Sequence, residues 1–332
     1  MRLWPLSKQM TEHWLGASDA VMVAELMRDG RAESFHHGVV AVVDSAGNTL
    51  LERGNAEAVV YPRSTLKPLQ AIAVLETGIE LSSLHLALTT ASHCGSTRHR
   101  EAVLSFLDTY GLDSHALQCP LDLPLGSDER AHYLAEGLSP SREAMNCSGK
   151  HAGFLAACTH AGYSLEDYLS PSHPLQVSIR ETISRYAGED IAFSSHDGCG
   201  APLHAISLGG LATAIARVAA GNTAHEQQLL TAIRDNSWAI DGDGRDNTVT
   251  IETLGGIAKI GAEGLVVIGT PEGVAVAVKI LDGSMRATSL VALAALDKAG
   301  AISAEQATVL SARMAHPVTG GEAIIGGLEV RL

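Results

Sequence analysis

The stretch Arg63-Ser64-Thr65-Leu66-Lys67-Pro68, running on through apolar residues to Leu75, decides how the rest of the chain is read. It marks the change from an extended segment to an apolar run of helical length. A helix beginning here puts Ser64 at its N-terminal edge and Lys67 one turn further along on the same face. A serine hydroxyl is a weak nucleophile near neutral pH unless a neighbouring base takes its proton. A lysine becomes such a base when burial or nearby positive charge lowers its pKa. The same residues also suit a plain helix start, with Ser64 as N-cap and Lys67 in solvent. The step alone does not separate chemistry from structure.

Working outward, the predicted helix is apolar on nearly all sides (Leu66, Leu69, Ile72, Val74, Leu75) and stops near Gly78, which places it at the centre of the protein. Before it, residues 39–43 and 49–52 read as two strands joined by the turn Asp44-Ser45-Ala46-Gly47-Asn48. After it, helices are predicted over residues 99–110, 150–160, 174–187, 208–219 and 226–235. The character then changes. Residues 264–269 and 273–281 are β-rich and meet at Thr270-Pro271-Glu272-Gly273, a turn signal. A helix over 288–296 and a strand over 328–332 close the chain. Strands at both ends with helices between give an α/β (α+β) fold, in which one antiparallel sheet is assembled from both termini around a helical middle. The expectation is one catalytic unit over residues 1–332. Its sheet part covers about 20–63 and 250–332, and its helical part about 64–249.

Composition limits the function. The 332 residues are 46% hydrophobic, enough for a full core. A formal net charge of -14 with no basic run argues against nucleic acid and anionic membrane surfaces as partners. Residues 1–14 lack a continuous apolar core after Arg2, unlike a secretory signal, and the longest apolar stretches are strand-length. Cysteines at 94, 119, 147, 158 and 199 are odd in number and scattered, so they do not read as a disulfide framework. Reduced thiols in the cytoplasm are the default expectation.

Four further clusters are too polar and Gly-rich for ordinary core. Ala91-Ser92-His93-Cys94-Gly95 follows an apolar segment and could present a hydroxyl, or form a simple turn. Asn146-Cys147-Ser148-Gly149-Lys150-His151 runs into a predicted helix, so Cys147 and Lys150 can face the same point. A buried cysteine beside an exposed lysine is the plainer reading. In Ser195-His196-Asp197-Gly198-Cys199-Gly200-Ala201-Pro202, glycines around Cys199 let the backbone approach a neighbour closely, and Asp197 offers a carboxylate. In Ile257-Ala258-Lys259-Ile260-Gly261-Ala262-Glu263-Gly264, a lysine two before a glycine at a strand edge has the shape of the K-T-G element that accompanies S-x-x-K in penicillin-recognising enzymes. Cys147 and Cys199 could share a metal, but with no C-x-x-C and no H-E-x-x-H the spacing alone does not specify zinc.

Taken in order, the strings around Ser64, Ser92, Cys147, Asp197 and Lys259 resemble the rhizobial-type, or class 3, L-asparaginases over roughly residues 30–330. The resemblance implies a serine β-lactamase-like fold, shared with penicillin-binding proteins and glutaminases. It implies hydrolysis of L-asparagine to L-aspartate and ammonia through an acyl-enzyme. Ser64 then corresponds to the nucleophile, Lys67 to its activating lysine, Ser92 to the second serine and Lys259 to the lysine paired with it, Lys279 being the alternative. Cys147, Lys150 and Cys199 correspond to zinc ligands, with water completing the site. Arg63, His151 and Asp197 fall where substrate contacts are expected, and a homodimer is implied. Cys94 departs from the family pattern, in which a serine is common two positions after Ser92. Rival readings are a glutaminase or β-lactamase-like esterase, a non-catalytic ligand or metal sensor on the same fold, and a structural zinc protein.

Overall fold

The structure, a computed structural model, describes residues 13–332. The reading of residues 1–14 as unlike a secretory signal therefore falls, apart from His13 and Trp14, outside the described residues.

Among the described residues, eleven strands run in chain order: β1 (Val21–Arg28), β2 (Arg31–Asp44), β3 (Thr49–Arg53), β4 (Val59–Val60), β5 (Phe193–His196), β6 (Pro202–Ser207), β7 (Ile257–Gly261), β8 (Leu265–Gly269), β9 (Val274–Ile280), β10 (Val318–Gly320) and β11 (Ala323–Val330). The α-helices are α1 (Lys67–Leu75), α2 (Ser83–Thr89), α3 (Thr97–Thr109), α4 (Ser127–Ala135), α5 (Ser148–Ala161), α6 (Pro174–Ala187), α7 (Leu208–Ala219), α8 (Ala224–Asp235), α9 (Asp246–Leu254), α10 (Thr288–Lys298) and α11 (Ala304–Met314).

An antiparallel eight-stranded sheet in the order β10-β11-β1-β2-β9-β8-β7, with β3 on β2, joins the two ends of the chain. Almost all the helices come between its two sets of strands, as the alternation of sequence character predicts. In β9, Ala275, Val276, Ala277 and Val278 are all buried, so both faces of the sheet are covered here. Helices α7 and α10 both pack on this strand. No helix among the described residues is long and apolar enough to cross a membrane.

The structure differs from the sequence reading in several places: β2 starts at Arg31 rather than residue 39, and β1, α2, α4, α9 and α11 have no counterpart in that reading. The helix after Ser64 begins only at Lys67, with Pro68 in its first turn, where a missing N–H costs nothing. Ser64 itself lies on a preceding 3₁₀ turn, Arg63–Leu66. The last strand starts at Ala323, earlier than predicted. A second, three-stranded sheet, β4-β6-β5, is not visible in the alternation pattern because its strands are short. It pairs Val59 with Ser207 and Val60 with Ile206. Since β4 ends just before Arg63 and β6 starts just after Cys199, this pairing carries the Ser64 turn to the Cys199 loop.

Candidate active site

The residue before Ser64 has an unusual backbone. Arg63 sits at φ +54°, in the left-handed region that non-glycine residues seldom occupy. Such strain persists only where surrounding contacts enforce it. Here Arg63 Nε donates to Asp197 Oδ1 at 2.7 Å, tying the turn to the loop that carries Cys199. On the other side, β7 packs close. A Cβ added at Gly261 would meet Thr65 Cγ2 at 3.0 Å and Pro62 O at 3.2 Å, so a glycine here lets the Lys259 strand approach the Ser64 turn.

Close packing also sets the Ser92 and Cys147 segments. A Cβ at Gly149 would lie 2.5 Å from Leu88 O, and one at Gly153 would lie 2.4 Å from Thr89 Oγ1. These two glycines on one face of α5 let it press against α2. The chain leaving α2 is then pinned between two neighbours. Ser92 N–H donates to Ile240 O at 2.9 Å, His93 N–H to Asn146 O at 3.1 Å and Cys94 N–H to Asp241 O at 2.6 Å. His93 Nε2 also pairs with Ser148 Oγ at 2.8 Å.

These constraints build a cavity of about 240 Å³, lined by Ser64, Ser92, Asn146, Asp241, Arg245, Asn247 and Lys259 among others. It lies just below the roughly 300–1,000 Å³ that hold drug-sized ligands and suits something of amino-acid size. Behind it, Lys67 is fully buried. Its amine touches Ser92 Oγ at 2.8 Å, Cys147 Sγ at 3.2 Å and the carbonyl of Ala91. This corrects the pairing expected from the sequence: the Lys67 amine meets Ser92, not Ser64. The four-carbon stem of Lys67 runs inward past its own turn, and the Ser64 hydroxyl has no hydrogen-bond partner among the described residues. Burial pulls Lys67 below the usual lysine range, and the Lys150 charge adds to this against the opposing sulfur of Cys147. Lys259, also buried, falls to about 7, through burial and then the Lys67 charge. Its amine donates to Ile260 O at 2.7 Å. Lys279, the alternative to Lys259, lines a separate, larger cavity of about 470 Å³ together with Arg63, Glu263, Trp14 and Tyr61.

The three expected zinc ligands come together. Lys150 Nζ lies 3.0 Å from Cys199 Sγ, and the Cys147 thiol donates to Asn146 Oδ1 at 2.9 Å. The neighbouring Cys199 sulfur and burial push the Cys147 thiol well up, so it keeps its proton. Cys199 is pushed far down by the neighbouring Cys147 thiol and by the Lys150 charge. Burial alone would depress Lys150, but the adjacent Cys199 thiolate overcomes it and keeps the amine protonated. No group of three or more His, Cys, Asp or Glu side chains suited to a metal occurs among the described residues. The donor set here is instead two sulfurs and an amine. Thiolates are preferred zinc ligands, and a cation can take the place of the protons now on Lys150 and Cys147. His151 Nε2, beside Cys199, is buried without a hydrogen-bond partner. The residues therefore fit a zinc ion.

The expected substrate contacts are placed differently. His151 is fully buried with Nδ1 on the Tyr168 hydroxyl at 2.7 Å. Arg63 faces the larger cavity. Neither these two nor Asp197 is in the wall of the serine cavity. The sequence reading in turn overlooked Asp241, Arg245 and Asn247, all within Asp241-Gly242-Asp243-Gly244-Arg245-Asp246-Asn247. Its Gly-rich, charged composition just ahead of α9 was the available signal.

A family model described as L-asparaginase II matches residues 24–330. No curated protein matches the chain. Among solved structures, the chain is similar to "EstCE1, a hydrolase with promiscuous acyltransferase activity", at 11% identity and a TM-score of 0.36, over 81% of this chain and 91% of that one. It is also similar to a simvastatin synthase (LovD) from Aspergillus terreus, the LovD6 mutant, at 10% identity and a TM-score of 0.32, over 73% of this chain and 86% of that one.

Proposed function

The chain belongs to the L-asparaginase II family, and from that membership we propose that it hydrolyses the side-chain amide of L-asparagine through a serine ester. The observation that carries this reading is the cavity shared by Ser64, Ser92 and Lys259, with the Lys67 amine 2.8 Å from Ser92 Oγ.

Ser64 is the nucleophile in this proposal, because its hydroxyl borders the cavity and is committed to no other partner. A neutral Lys67 has two N–H groups and one lone pair. The N–H groups go to Ala91 O and Cys147 Sγ, which leaves the lone pair for the Ser92 hydroxyl proton. Ser92 is then free to receive the Ser64 proton as the Ser64 oxygen forms its bond to the amide carbon. The carbon–nitrogen bond breaks, the nitrogen takes a proton and ammonia leaves. Lys259, poised near neutrality, is suited to supply that proton and then to accept one from the water that cleaves the ester. The products are aspartate and the restored Ser64 hydroxyl.

A zinc ion in this proposal is held by Cys147, Lys150 and Cys199, and supplies positive charge beside Lys67 that favours its neutral form. The protein's own part there is to hold the Lys67 amine through Cys147 and the Arg63 turn through Asp197.

The test is ammonia release from L-asparagine by the wild-type protein and by Ser64→Ala, with L-glutamine and a chromogenic β-lactam as competing substrates. Loss of turnover in Ser64→Ala by more than about a hundredfold is expected for a missing nucleophile. Activity near wild type in that variant, or turnover confined to the β-lactam, would reject the proposal.

A further inference from the structure

Two arginine–aspartate pairs flank the Ser64 turn, but only one is in the serine cavity. Arg245 Nε donates to Asp241 Oδ1 at 2.6 Å, and both side chains line that cavity. Asp241 is buried, and its second oxygen accepts the N–H of Asn247 in the first turn of α9. Its contact with the first turn of α9 and its bond to Arg245 together fix the side chain in place. Asp241 is thus a fixed anchor for the guanidinium. Arg245 uses only Nε on it, and among the described residues the two terminal nitrogens have no hydrogen-bond partner. A planar fork with both terminal nitrogens free is the geometry that receives a carboxylate. Arg63, by contrast, is engaged by Asp197, has Glu263 Oε1 at 4.0 Å from Nη1, and faces the other cavity.

We infer that Arg245 and Asp241 bind the zwitterionic head of the substrate, Arg245 taking the α-carboxylate and Asp241 facing the ammonium. The inference rests on reading the cavity as an amidohydrolase site, and it deepens that reading. It makes the enzyme selective for free α-amino acid amides over amides buried in a peptide chain. A peptide-linked asparagine lacks the free carboxylate and has no charge to offer Arg245. A guanidinium fixed by Asp241 and left without its carboxylate partner discriminates against such analogues.

The experiment is steady-state kinetics and calorimetry on the full-length wild-type protein, Arg245→Ala, Arg245→Lys and Arg63→Ala. L-asparagine is the substrate, and L-aspartate and 3-aminopropanamide, which has the amine and amide but no carboxylate, are the binding probes. For Arg245→Ala the KM for L-asparagine and the Kd for L-aspartate should rise about ten- to a hundredfold, the range for a charged hydrogen bond. Binding of 3-aminopropanamide should be unchanged. Arg245→Lys keeps the charge without the fork and should fall between. Equal weakening of both probes would mean a structural role and overturn the inference. So would a carboxylate-dependent loss in Arg63→Ala with none in Arg245→Ala. Wild-type protein that binds L-aspartate through Arg245 but releases no ammonia would refute the asparaginase reading and leave the head-group assignment standing.

Discussion

The amine of Lys67 lies 2.8 Å from the hydroxyl oxygen of Ser92, a residue 25 positions along the chain, and is fully buried there. The short-range spacing of Ser64 and Lys67 suggests a different pair. Lys67 thus stands behind Ser92, while Ser64 lines the same cavity with its hydroxyl unpartnered among the described residues.

Removing the amine should therefore cost as much as removing a serine. Lys67→Met keeps the buried volume but has no lone pair or N–H for Ser92. A fall in kcat of about 10²- to 10⁴-fold is expected for a lost proton acceptor, with the fold retained by circular dichroism. Ser92→Ala should give a loss of similar size, and the double variant should lose little more, since the two act as a unit. Independent, multiplicative losses would argue against the relay.

The lowered pKa of Lys259 sets a pH dependence. With its pKa at about 7 the amine is charged below that value and neutral above it. If the neutral form accepts the water proton, kcat should rise through pH 7. Lys259→Arg, charged at every accessible pH, should remove that limb and most of the activity. A profile in which the arginine variant keeps the same limb would assign it to another group.

The same group affects stability. Below pH 7 both folded and unfolded chains hold the proton, and the folded state bears the cost of burying it. Between about 7 and the ordinary lysine value near 10.4, only the unfolded chain holds it, so stability rises with pH across that window. Lys259→Met should flatten this rise in denaturant titrations between pH 7 and 9. An unchanged slope in the variant would show that other groups produce it.

Metal content should follow the sulfur ligands. Cys147→Ser and Cys199→Ser are each expected to lower bound zinc to well under one per chain by elemental analysis, and Lys150→Met should weaken it. Zinc added to the metal-free wild-type protein at pH 7 should release protons, because Lys150 and Cys147 hold theirs in its absence. Wild-type protein purified with zinc in the buffer yet free of the metal would refute the assignment.

Gly149 gives a purely structural test. A methyl group there would sit 2.5 Å from the backbone oxygen of Leu88, which cannot move aside as a flexible side chain would. Gly149→Ala should cost about 1–3 kcal/mol, the range for overpacking, and lower the melting temperature. Because α5 carries Cys147 and Lys150, it should also lower kcat, whereas alanine at the exposed Gly111 would leave kcat intact.

Much of this protein is legible in one dimension. The alternation of strand-rich ends and a helical centre follows from local composition, so the spans of α6 and α7, the β8 and β9 strands and the last third of β2 are readable from hydrophobic pattern and turn chemistry. The strings around Ser64, Ser92, Cys147, Asp197 and Lys259 point to one family because each packs unusual residue types into a few positions, and the family match over residues 24–330 agrees. The three-stranded sheet was not readable, since a two-residue strand such as β4 has no period.

What the amino-acid order determined by itself was which segments form elements and which side chains carry chemistry. Tertiary structure alone decided which lysine meets which serine, which lysine shares the cavity, and that Asp241 and Arg245 belong to it. The reason is distance along the chain. Secondary structure is set by neighbours within a few residues. The Lys67–Ser92 and Lys67–Cys147 contacts span 25 and 80 residues and exist only because α5 can press against α2 through two glycines.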